Sequence, residues 1–306
     1  MEIPAGFPAM DIPVDNAYTE DRWMLGKKLF YDSILSVDNK ISCASCHQQE
    51  LAFSDGLVKS KGVESRMGLR NAPSLANIGY HPYFTREGGV PTLEMQVLVP
   101  IQEHAEMDFN IVLAADRLQK DPEYVKMSNI AYGEEPSPYM ITRALANFER
   151  SLISGYSKYD EVINGNSRFS DQEEIGYNLF KSERLACTSC HSGFNFTDYS
   201  FQNNGLYDAY NDDGRYRLTG KEDDKAMFKT PSLRNVALTA PYMHDGSLGD
   251  LESVVEHYMS GGSKHQHKSE HLKGFQLSGL EKDALIAFLK TLTDFQFINN
   301  ENFRNE

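Results

Sequence analysis

The chain has 306 residues, 40% of them hydrophobic, enough to bury a sizeable core and to form two domains. A formal charge of −14 argues against nucleic acid and anionic membrane surfaces as partners. No apolar run approaches the about 18 residues that a membrane span needs, so none is expected.

Residues 1–16 contain Pro4, Pro8 and Pro13 and read as an extended arm. They begin without the basic segment and apolar core of a secretion signal. A helix is expected over Asp21–Phe30, with Trp23, Met24, Lys27 and Phe30 on one face and Leu25 and Leu29 on another. The pentapeptide Cys43-Ala44-Ser45-Cys46-His47 follows. A glycine- and charge-rich loop, 54–69, then leads to Arg70-Asn71-Ala72-Pro73-Ser74-Leu75 and His81-Pro82-Tyr83-Phe84. Helices are expected from Thr92 to Pro100, near Ile111–Leu118 and over Tyr139–Ser154. The polar stretch Gly155–Ser167 reads as an interdomain linker. Beyond it, Ser170 with Glu173 forms a capping-box pattern that starts a helix leading to Cys187-Thr188-Ser189-Cys190-His191. Another helix is expected over Asp250–Met259. The last is announced by Ser278 with Glu281 and carries Leu285, Ile286, Phe288, Leu289 and Leu292.

The two C-x-x-C-H pentapeptides consume all four cysteines. This is the attachment signature of c-type haem: two thiols add across the porphyrin vinyl groups and the adjacent histidine ligates iron. The competing readings are a thiol redox motif or zinc. An all-cysteine zinc site would use both motifs at once and leave His47 and His191 unexplained. Two covalent haems are therefore expected, bound through Cys43, Cys46 and His47 and through Cys187, Cys190 and His191. Covalent haem is attached outside the bacterial cytoplasm, so a secretion signal is expected to have been removed and the location to be periplasmic or at the outer cell surface.

Short motifs recur in the same order in both halves. Leu25-Gly26 and Leu29-Phe30 match Ile175-Gly176 and Leu179-Phe180; Pro73-Ser74-Leu75 matches Pro231-Ser232-Leu233; Pro82-Tyr83 matches Pro241-Tyr242; Leu93-Glu94 matches Leu251-Glu252. The expected architecture is mainly α, with residues 1–166 and 167–306 as two helical domains of one haem each.

The halves differ opposite the histidine. The Asp250–Met259 helix delivers Tyr258 and Met259, and either could ligate the second iron. The same position in the first half is Pro100, whose side chain cannot. Gln96, Gln102, Glu103, His104 and Glu106 lie nearby, and a carboxylate over an open haem can move a proton between the two oxygens of peroxide. The plainer reading makes Glu103 and Glu106 solvated charges. His104, His265, His267 and His271 read as exposed, and His257 as pointing away from the haem.

With these motifs in place, residues 20–295 resemble the bacterial di-haem cytochrome c peroxidase and MauG superfamily. The resemblance rests on both pentapeptides, Arg70-Asn71-Ala72-Pro73, Gln96 to Glu106, Leu238-Thr239-Ala240-Pro241-Tyr242 and His244-Asp245-Gly246. It implies two cytochrome c-like domains whose haems face a shared interface. It also implies Glu106 as catalytic carboxylate with Gln96 as its companion, Pro100 as the distal proline, and one calcium ion held by Asn71, Thr239 and the Pro241 carbonyl. Residues 48–69 contain no histidine to block the first haem, and Met67 is a poor substitute, so that haem is expected to be open. By spacing from His244, the second haem takes Tyr258, as in the MauG-like branch. The tryptophan that the family places between its haems is missing: the chain reads Phe84-Thr85-Arg86-Glu87-Gly88, leaving Tyr83 or Phe84 as an electron route.

The expected function is a periplasmic di-haem oxidoreductase acting on hydrogen peroxide. Its electrons would come from a small cytochrome c or copper protein (a cupredoxin), or from aromatic side chains of a protein substrate. The alternative is a non-catalytic di-haem electron carrier, which requires two six-coordinate irons.

Overall fold

The fold, a computed structural model describing residues 1–305, is built on twelve α-helices. They are α1 Glu20–Tyr31, α2 Leu93–Gln96, α3 Leu98–Gln102, α4 Ile111–Leu118, α5 Pro122–Tyr132 and α6 Pro138–Arg150, then α7 Lys158–Ile163, α8 Asp171–Lys181, α9 Tyr216–Thr219, α10 Leu251–Ser260, α11 Gly279–Lys290 and α12 Phe295–Ile298. Two short strands, β1 Phe201–Gln202 and β2 Phe228–Lys229, pair antiparallel with Phe201 opposite Lys229.

Two apolar clusters organise the helices. In the first, Leu25, Leu29 and Phe30 of α1 pack against Met140, Leu145 and Phe148 of α6. In the second, Phe180 of α8 packs against Leu285, Phe288 and Leu289 of α11. Each pair crosses on a glycine. A β-carbon on Gly26 would meet the Ala144 carbonyl oxygen at 1.9 Å, and one on Gly176 would meet the Ala284 oxygen at 1.9 Å. Only glycine lets the backbones approach so closely. The contact is worth having because it seats Phe148 and Phe288, both fully buried, each contributing roughly 2–3 kcal/mol of apolar burial. Both expected capping boxes form, Ser170 with Glu173 and Ser278 with Glu281.

The structure departs from expectation in four places. Helix α5 was not foreseen, although Asp121 caps it, Pro122 opens it and Gly133 (φ 71°) ends it. Helix α6 stops at Arg150 rather than at Ser154. Residues 155–167 are no loose linker: they hold α7, opened by a Ser157–Asp160 capping box and anchored where Arg234 grips Asp160 at 2.8 and 2.9 Å. Packing also does not divide at 166/167. Tyr159 of α7 packs on the second cluster, while Phe297 and Phe303, near the chain end, enter the first beside Phe53. The N-terminal arm is likewise fixed, with Phe7 against both Tyr80 and Phe194, and buried Asn16 donating to Glu94 at 2.7 Å.

Candidate active site

Each pentapeptide folds as a single 3-10 turn, Cys43–Ser45 and Cys187–Ser189. All four cysteines are free and partly exposed, so no thiol is consumed by a disulfide. Burial pushes the Cys46 and Cys190 thiols up to about 11 and Cys187 up to about 12. The histidine next to each pair is oriented by a carbonyl. His47 Nδ1 lies 2.8 Å from Phe53 O, and His191 Nδ1 lies 3.1 Å from Phe196 O. A carbonyl only accepts, so Nδ1 carries the proton and Nε2 keeps its lone pair for a metal. Phe53 (φ 59°) and Phe196 (φ 50°) both take the left-handed conformation at these carbonyls. Two unpaired thiols and one oriented imidazole per site suit covalent haem.

The groups set against the two cysteine pairs differ. Beside the first pair is Glu106, whose charge acts on both Cys43 and Cys46. Burial, reinforced by Glu103, pushes its carboxyl up to about 7. Its backbone is held at both ends, donating to Glu103 O at 2.9 Å and accepting from Val63 N at 2.8 Å. Gly62 lies so close beneath that a β-carbon there would meet the Ala105 oxygen at 2.2 Å. Gln96 ends α2, and its Oε1 is buried with no hydrogen-bond partner among the described residues. Pro100 sits inside α3, where its carbonyl accepts from Met107 N at 3.1 Å. Met67 is 48% exposed on the loop.

Beside the second pair is Tyr258, which senses both Cys187 and Cys190; burial pushes its phenol up to about 12. Met259, the next residue of α10, packs instead against the second apolar cluster. His257 Nε2 lies 2.9 Å from Asn204 O. His104 is exposed and pairs with Asp108 at 3.2 Å.

Two of the three residues expected to hold calcium are engaged within the protein. Asn71 N donates to His244 O at 3.1 Å, joining it to the segment that contains Thr239 and Pro241. Both oxygens of Asn71, however, accept from Arg86 Nη2, the backbone O at 2.7 Å and Oδ1 at 3.2 Å. Thr239 Oγ1 donates locally to Val236 O at 3.3 Å. Calcium binds oxygens at about 2.3–2.6 Å and would have to share Asn71 with a cation, so this set does not fit it.

Several polar residues at the site were not anticipated. Arg86 is one. Glu149 on α6 is buried, pushed up to about 8, and acts on Cys43. Lys229 Nζ lies 3.2 Å from His81 Nδ1 and donates to Tyr83 O at 2.8 Å; burial lowers it to about 8. Of the two expected electron routes, Phe84 is buried in the first cluster, whereas Tyr83 donates to Tyr199 O and stacks on Phe201 at 5.2 Å.

The family model described as di-haem cytochrome c peroxidase matches residues 20–168. Methylamine utilization protein MauG of Methylorubrum extorquens is 38% identical over 285 residues, covering 92% of this chain and 80% of that protein. Cytochrome c551 peroxidase of Nitrosomonas europaea is 34% identical over 298 residues, covering 95% and 86%. Among solved structures, a MauG-like protein associated with microbial copper homeostasis superposes with a TM-score of 0.95 at 35% identity, over 99% of this chain and 98% of that one.

Proposed function

The chain belongs to the di-haem cytochrome c peroxidase family, which makes it a peroxidase-type oxidoreductase with two c-type haems, and from that premise we propose that hydrogen peroxide reacts at the first haem alone. Two cytochrome c-like halves related by an internal repeat, divided near residues 166/167 apart from α7 and the segment of Phe297 and Phe303, which cross over, would hold one haem each through His47 and His191. The working location is the periplasm, because haem is attached covalently outside the cytoplasm.

One observation carries the reading: the Glu106 carboxylate lies within electrostatic range of both Cys43 and Cys46, whereas the Tyr258 phenol lies within that range of Cys187 and Cys190. An open haem iron supplies the two-electron chemistry that cleaves the peroxide bond. Glu106 takes the proton from one peroxide oxygen and returns it to the other, which leaves as water. A carboxyl near 7 can do both at neutral pH. Gln96 Oε1 accepts a hydrogen bond from the bound peroxide, spending its unsatisfied acceptor. Pro100 has no side-chain donor that would bind the first iron. Tyr258 would hold the second iron when haem is bound, and a phenolate there would favour its oxidised states. Electrons arrive from a small cytochrome c or cupredoxin. A phenol rather than Met259 at the second pair favours the further reading, oxidation of aromatic side chains on a protein substrate.

Glu106→Gln tests this. Loss of the rapid reaction with peroxide, with the second haem's spectrum intact, is the expected result; unchanged reactivity would remove Glu106 from the mechanism.

A further inference from the structure

Arg86 lies at the seam where the first half of the chain meets the second. Its own carbonyl accepts from Lys229 N at 2.7 Å, and the carbonyl of neighbouring Glu87 accepts from Arg215 Nη1 at 2.8 Å. Asn71, which receives the guanidinium, bonds across the same seam to His244 O. The Asn71 amide cannot turn away, because its Nδ2 donates to Leu57 O at 2.8 Å and so keeps Oδ1 facing Arg86. Glu87, Asp212 and Asp245 add negative potential around the guanidinium. Arg70 already engages two of these carboxylates, bonding Asp212 at 2.6 and 2.9 Å and pairing with Glu87.

We infer that Arg86 is the resident cation of this seam, so that the protein needs no calcium ion there either to hold its halves together or to react with peroxide. The two Asn71 oxygens are hard donors of the kind a metal would need, and both already face a guanidinium. A divalent ion on the same oxygens would lie beside a fixed positive charge in a desolvated site, where like charges repel strongly. Burial lowers the guanidinium only to about 10, so it stays charged at neutral pH. A covalent cation also cannot dissociate: the seam keeps its charge whatever the surrounding calcium concentration.

The test uses the haem-loaded protein. After gel filtration from calcium-containing buffer, elemental analysis should find no stoichiometric calcium, and the peroxide rate should be the same with chelator as with millimolar calcium. Retention of one calcium ion per chain, or a chelator-induced fall in rate, would overturn the inference. Arg86→Gln frees both oxygens and leaves the carboxylates in excess. Its peroxide rate should fall about tenfold and recover with added calcium, a coupling of ordinary allosteric size. Arg86→Lys, which keeps the charge, should stay indifferent to calcium. A folded Arg86→Gln protein with an unchanged rate would also overturn the inference. Should that variant not fold, the wild-type calcium content and chelator response decide alone. Neither result bears on the assignment of peroxide chemistry to Glu106, which the Glu106→Gln variant tests separately.

Discussion

Gly26 and Ala144 are in backbone contact: a β-carbon on the glycine would stand 1.9 Å from the alanine carbonyl oxygen, and Gly176 repeats the relation with Ala284. In an ordinary helix, replacing glycine with alanine stabilises by roughly 1 kcal/mol. Here Gly26→Ala or Gly176→Ala must push two helices apart and should cost about 3 kcal/mol or more. Thermal unfolding of the haem-loaded variants measures it. Gly279→Ala, with nothing within 4 Å of its β-carbon, is the control and should cost nothing.

The buried pair Asp160–Arg234 fixes α7 to the second cluster, and Arg234 also donates to Phe194 O at 2.8 Å. Asp160→Asn leaves a buried guanidinium without its counter-charge and should cost about 3–5 kcal/mol. Replacing both residues with apolar ones of similar size should cost less than the single change. Denaturant melts of the three proteins decide it; a double variant weaker than the single one would contradict the account.

Glu106 sets the pH dependence. The unprotonated form accepts the peroxide proton, so the second-order rate should rise as pH climbs through about 7 and then level. Stability moves the other way. A folded carboxyl raised from 4.5 to about 7 binds its proton more tightly than the unfolded one, so stability is lost as pH rises between those values. Glu106→Gln should therefore react with peroxide about 100-fold or more slowly and lose the pH limb. At pH 8 it should unfold at a higher temperature than the parent. Stopped-flow profiles and melts at pH 5 and pH 8 test both signs.

Much of the structure around the cysteine turns was legible because it is local. Each C-x-x-C-H turn, both capping boxes and the glycine-centred Leu25-Gly26 and Ile175-Gly176 motifs depend on neighbours within a few residues. What was missed is long-range. Phe297 and Phe303 return to the first cluster from the far end of the chain, and no local pattern announces that. Arg86 was visible in the sequence as a residue standing near a missing tryptophan. Its bond to Asn71, fifteen positions earlier, emerged only from the folded seam. Helix α5 carries its own local signals, Asp121-Pro122 at its start and Gly133 at its end.

Tyr258 and Met259 separate cleanly. The phenol lies within electrostatic range of Cys187 and Cys190, while Met259 packs against the apolar cluster. Tyr258→Phe should abolish the low-spin ferric signal of the second haem. Met259→Leu should leave that signal intact and cost under about 1.5 kcal/mol, as volume-conserving core changes do. Loss of the signal in Met259→Leu would transfer the ligand role to methionine.

The central claim is the inequality of two haems attached in the same way, and electron paramagnetic resonance of the fully oxidised protein tests it most directly. One high-spin and one low-spin ferric signal in equal amounts is the expected spectrum, the high-spin centre being the haem beside Glu106 and Pro100. Two low-spin signals of equal intensity would mean that both irons are six-coordinate and would contradict the account.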